Sequence, residues 1–142
     1  MNETPQQPIF THTISLRVRY CETDQMGTFY NSRALEWFEC GRTELLRAAG
    51  VSYAKLEEDG FFLPVIEAFV RYLNKARYDD LLEVKTSMFM GGRARIKMQV
   101  DISHSESQKP VVSGYTIHIF TNRNGHPIKP PKFFYEIFGI KK

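Results

Sequence analysis

The chain of 142 residues lacks most of the features that announce a simple function class. It has two cysteines, Cys21 and Cys40, in no C-x-x-C or disulfide-rich pattern. That excludes a disulfide scaffold and predicts a reduced, cytoplasmic setting. Its four histidines, His12, His104, His118 and His126, show no H-x-x-x-H spacing and have no cysteine at ligand spacing, so no metal site is expected. No apolar run approaches the ~18 residues of a membrane-crossing helix. The polar start, with Pro5 and Pro8, has no apolar export core, so neither a transmembrane segment nor a signal peptide is predicted. Charge of one sign is also scarce. Nineteen basic residues against sixteen acidic give a net charge of +3, and no aromatic RNA-binding motif accompanies them. A nucleic-acid partner is therefore not expected, while an acidic ligand would be weakly favoured.

What is present reads as one soluble domain, long enough to bury a core without staples. Residues 1–11, polar and proline-bearing, read as a flexible leader and residues 12–142 as the domain. Residues 13–20 alternate, with Ile14, Leu16, Val18 and Tyr20 on one side, which predicts a half-buried strand. After a loop containing Asp24 and Gly27, a helix is expected from about Asn31. Ala34, Leu35, Trp37, Phe38, Gly41, Leu45 and Leu46 share one face of it, Asn31 or Ser32 serves as N-cap, and Gly50 follows the end. Gly41 within the apolar face predicts close approach to a backbone beneath it. Arg42, at the edge of that face, is expected to pair with Glu39. A short helix over residues 52–58 and four strands over 62–73, 81–90, 93–103 and 111–121 follow, joined by short turns. The tail, with Phe133, Phe134 and Tyr135, is expected to lie across the body or at a subunit contact. One apolar helix and several one-faced strands are satisfied by an α+β fold, a curved antiparallel sheet around the long helix.

The segment Val18-Arg19-Tyr20-Cys21-Glu22-Thr23-Asp24-Gln25-Met26-Gly27, followed by Tyr30 and by Trp37-Phe38-Glu39-Cys40-Gly41-Arg42, resembles the hotdog-fold acyl-CoA thioesterases of the 4-hydroxybenzoyl-CoA thioesterase type. That group includes the thioesterases associated with the Tol-Pal system. The resemblance extends over about residues 12–132. It implies dimers with active sites at the subunit boundary, often homotetramers, an acyl-CoA substrate, and no cofactor beyond the coenzyme A of that substrate. It also implies that Asp24 is the catalytic carboxylate and that the backbone N–H of Asn31 polarises the thioester carbonyl. One departure stands out. Where the family often has His-Ala-Asn-Tyr, this chain reads Asn31-Ser32-Arg33-Ala34, so Asn31 stands in place of the histidine and Ala34 in place of the tyrosine.

The chemistry of these residue types is consistent with that assignment. A carboxylate near its ordinary pKa of about 3.9 is ionised at neutral pH and can attack a carbonyl or deprotonate water. Free N–H groups at a helix start stabilise the oxyanion that develops. Tyr30 either borders the acyl pocket or packs, Gly27 shapes the turn, and Glu22 reads as an exposed loop charge. Cys21 reads as an inert thiol. Arg71, Lys75, Arg77, Arg93, Arg95 and Lys97 form a basic sheet surface, and Arg93 beside Gly91-Gly92 is the preferred contact for a coenzyme A phosphate, ahead of Arg123 and Lys129. The function expected is hydrolysis of an acyl-CoA to free acid and coenzyme A. Hydrolysis of acyl-carrier-protein thioesters, or non-catalytic acyl-CoA binding, is the alternative.

Overall fold

The computed structural model describes residues 6–140. Five strands form a single antiparallel sheet in the order β1-β3-β4-β5-β2. They are β1 (Phe10–Arg17), β2 (Val65–Tyr72), β3 (Leu81–Met90), β4 (Arg95–His104) and β5 (Pro110–Ile119). Helix α1 (Arg33–Ala48) lies across β1, β3 and β4. Helix α2 (Tyr53–Glu58) follows it, and α3 (Lys132–Phe138) closes the chain. Period-2 alternation on β3 and β4 sends Leu82, Val84, Thr86 and Met88, with Ile96, Met98, Val100 and Ile102, inward against the helix.

The core divides along α1. Toward its start, Ala34, Trp37 and Phe38 pack with Leu82, Val84, Val100 and Ile102. Toward its end, Leu45 and Leu46 pack with Met88, Ile96, Met98, Phe120 and Phe134. Gly41 lies between the two groups, and its close approach is to side chains rather than to a backbone. A Cβ there would overlap the Thr86 hydroxyl and come within 3.0 Å of Val84 Cγ1.

Several expectations are corrected. β1 begins at Phe10, and the Ile9 N–H already donates to the Met88 carbonyl at 2.8 Å, so the sheet takes in residues assigned to the leader. Residues 1–5 of that leader lie outside the described residues. β1 also ends at Arg17, because Tyr20–Glu22 turns into a 3-10 helix and leaves Tyr20 exposed against Tyr78. Arg42 makes no ion pair with Glu39 among the described residues. It turns inward beside Tyr53 and His118, buried, and its Nε has no hydrogen-bond partner among the described residues. The aromatic tail forms α3, which was not expected. Phe134 is fully buried against Phe120, their ring centroids 5.1 Å apart.

Candidate active site

The segment between β1 and α1 is a small hairpin rather than an open loop. Glu22 accepts the Tyr30 N–H on its carbonyl at 2.7 Å, Thr23 bridges Phe29, and the Asp24 N–H donates to the Thr28 carbonyl at 2.9 Å. The turn is closed by the Gly27 N–H on the Asp24 carbonyl at 3.1 Å and by the Met26 N–H on Asp24 Oδ1 at 2.8 Å. Gly27 adopts φ +80°, the left-handed backbone such a turn demands and a side chain resists. A second set of bonds ties the hairpin to the β2–β3 connection. Thr28 Oγ1 lies 3.2 Å from both the carbonyl and the N–H of Ala76, and the Phe29 N–H donates to Ala76 O at 3.0 Å.

Glu22 departs from its expected place as an exposed loop charge. It is only 4% exposed, because the 3-10 turn folds its side chain inward toward α1. Its Oε1 accepts the Arg19 N–H at 2.7 Å, and its Oε2 accepts Trp37 Nε1–H at 2.8 Å. Burial alone would raise this carboxyl, but those donors and the Arg19 guanidinium, 3.5 Å away, hold it below the usual range.

At the start of α1 neither expected N-cap side chain caps the helix. Ser32 occupies the cap position with helical backbone angles and no side-chain bond. The Arg33 N–H reaches Tyr30 O at 2.9 Å and the Ala34 N–H reaches Asn31 O at 3.4 Å. Among the described residues, the amides of Asn31 and Ser32 donate to no protein group. The carbonyl of Asn31 also accepts the Tyr72 hydroxyl at 2.6 Å, which fastens the helix start to the end of β2.

Asp24, Thr28, Phe29, Tyr30 and Asn31 share one open cleft of about 380 Å³ with Tyr72, Leu73, Asn74 and Lys75. The sequence-selected Asp24, Tyr30 and Asn31 thus come together, with Gly27 shaping the adjoining turn. Arg93 does not join them within the chain. It lies on the β3–β4 connection near the other end of α1, in a separate depression with Lys129, Lys132 and Tyr135. The sequence reading missed Tyr72 and Thr28 as parts of the site. No local pattern links Tyr72 to Asn31, because their contact exists only once β2 is paired with β5. Among the described residues, no group of His, Cys, Asp and Glu is arranged to hold a metal ion, and no helix is long and apolar enough to cross a membrane.

The chain is similar to a putative acyl-CoA thioesterase of Bacillus subtilis, at 38% identity over half of this chain and 51% of that protein. It also matches a putative esterase of Synechocystis, at 33% identity over 71% of this chain and 61% of the other. It therefore spans about half to three-fifths of the length of these curated relatives. Among solved structures, a DHNA-CoA thioesterase from Staphylococcus aureus superposes with a TM-score of 0.85 at 27% identity, over 91% of this chain and 89% of that one. The family model described as the thioesterase-like superfamily matches residues 18–138, which hold the hairpin, all of α1 and the four following strands. With its single antiparallel sheet folded over α1 in the hotdog manner, this chain belongs to the thioesterase-like superfamily.

Proposed function

We propose that the chain hydrolyses acyl-CoA thioesters to the free acid and coenzyme A, with Asp24 as the reacting carboxylate. The observation that carries this reading is the shared cleft, lined by Asp24 on one side of the hairpin and, just past its other arm, by Asn31, whose amide has no protein partner among the described residues. The thioester carbonyl carbon faces Asp24 and its oxygen faces the Asn31 amide, which lies at the positive end of α1. Two routes balance. In one, Asp24 takes a proton from water, the resulting hydroxide adds to the carbonyl carbon, and the C–S bond breaks as the thiolate of coenzyme A leaves and takes up a proton. In the other, the carboxylate adds directly, the thiolate leaves a mixed anhydride, and water then cleaves that anhydride. Single-turnover hydrolysis in ¹⁸O water separates them, since heavy oxygen enters the enzyme only by the second route.

A second copy completes the site. β2 is a free edge of the sheet and exposes Val65, Ile66, Phe69 and Tyr72, an apolar edge that invites pairing. Two-fold pairing through β2 sets the cleft beside Tyr72 at the subunit boundary. Arg93, with Lys129 and Lys132, is assigned to the phosphates of a coenzyme A bound at a neighbouring protomer's cleft. Cys21 and Cys40 are both free and exposed, in keeping with a reducing cytoplasm.

The test is thiol release from short, long and aromatic acyl-CoAs, run beside Asp24→Asn. Wild-type protein is expected to turn over at least one of them, and Asp24→Asn to lower kcat about 10²–10⁴-fold with binding retained. Binding of acyl-CoA without thiol release by wild-type protein across the panel overturns the reading. A rate confined to matched acyl-carrier-protein thioesters reassigns the substrate.

A further inference from the structure

Within the reading of Asp24 as the reacting carboxylate, we propose that buried Glu22 is its positioning residue, fixing the distance between that carboxylate and the Asn31 amide. A carboxylate removed from water is costly unless its oxygens are hydrogen-bonded, and here both are. The donors come from separate pieces of the chain. The Arg19 N–H, 2.7 Å away, closes the end of β1, and Trp37 Nε1–H, 2.8 Å away, projects from the body of α1. The carbonyl of the same residue accepts the Tyr30 N–H at 2.7 Å, on the arm that leads into the helix.

A residue that merely caps the 3-10 turn needs one oxygen, on Arg19. The second oxygen, on a tryptophan fifteen residues away, serves no turn. It pins the outgoing arm of the hairpin to α1, while the carbonyl pins the returning arm. Asp24 lies two residues beyond the first pin and Asn31 one residue beyond the other, so their relative placement passes through Glu22. With both oxygens engaged and the side chain 4% exposed, Glu22 is not itself the acid or base.

Glu22→Gln tests this without changing the volume. The amide keeps one acceptor but turns an –NH₂ donor toward a second donor, so one pin must break. We expect kcat to fall about 10²-fold, as a displacement near 1 Å costs, with KM within about twofold. The sole tryptophan, Trp37, should shift its emission in the same variant. Amide exchange at Met26 and Tyr30, followed by NMR, should accelerate by about tenfold or more. Trp37→Phe, which removes the donor and keeps a ring, should reproduce the kcat and exchange effects, and the double variant should add little to either single one. It also serves if Glu22→Gln fails to fold.

Loss of thermal stability with wild-type kcat in the folded variants would make Glu22 purely structural and overturn the proposal. So would unchanged exchange at Met26 and Tyr30. The exchange and emission measurements need no turnover. If wild-type protein hydrolyses no thioester, the functional reading fails while the pinning of the hairpin still stands or falls on those two readouts.

Discussion

The two ends of α1 are built to opposite specifications. At its end, Leu45 and Leu46 are fully buried with Phe120 and Phe134, which close the core there, and the depression beside Arg47, Gly50 and Phe133 lies outside that layer. At its start, a carboxylate is buried on two donors, two amides have no protein partner among the described residues, and a cleft of about 380 Å³ stays open. A helix cannot satisfy its own first N–H groups. Where those groups are neither capped nor covered, the fold spends burial to keep them available. The two ends should therefore respond differently to substitution.

Phe134→Ala breaks the closed end and should have the largest effect on stability. Deleting a fully buried ring typically costs about 3–5 kcal/mol. The loss should appear in urea unfolding, while kcat in the folded fraction stays within about twofold, because Phe134 lies at the far end of α1 from Asp24. A kcat loss as large as that of Asp24→Asn would show that the ends are not separate.

The middle of α1 should give a smaller effect, and one that depends on pH. His118 is buried between Thr116 Oγ1 at 2.9 Å and the Leu63 carbonyl at 3.1 Å. Burial, with the Arg42 cation nearby, pushes it down from 6.5 to about 4, against the raising effect of the Leu63 bond. The unfolded chain takes up this proton below about 6.5 and the folded chain only near 4. Stability from this group is therefore fully present above 6.5 and is lost as pH falls toward 4, by roughly 3 kcal/mol in all. Unfolding free energies measured from pH 7 to 4 should show that slope, and His118→Gln should flatten it. Glu22, held below its ordinary value, adds its own loss only in more acid solution.

The regular elements along α1 are legible in the sequence, whereas the buried carboxylate at its start and the short helix that covers its end are not. Alternation in β3 gave its observed limits, Leu81–Met90, and the helical face of α1 from Ala34 to Leu46 was read from a 3.6-residue period. These signals are local. Glu22 misled because charge in a loop ordinarily means exposure, and its two donors lie on different elements. Arg42 misled because spacing on a helix face says nothing of which way a long side chain turns, and it turned inward. Helix α3 escaped because its seven residues give barely two turns of periodicity after Pro130 and Pro131. Resemblance to a family points to Asp24 and Asn31, and both line one cleft. What resemblance does not supply is the pair of pins that sets one against the other.

The smallest effect is expected at Asn31 itself, and its smallness is the point. If the oxyanion is stabilised by the backbone at the start of α1, the side chain there is free to change. It is exposed, it forms no hydrogen bond among the described residues, and it does not cap the helix. Asn31→His should therefore keep kcat within about threefold, whereas loss of an oxyanion donor costs about 10²–10³. Asn31→Pro removes the amide hydrogen and should show that larger loss, with a Tyr72→Phe control reporting how much comes from disturbing the carbonyl on the other side of the same residue. Should Asn31→His fall as far as Asn31→Pro, the side chain rather than the amide would be the working group. The contrast between the open and closed ends of α1 would then rest on Asp24 and Glu22 alone.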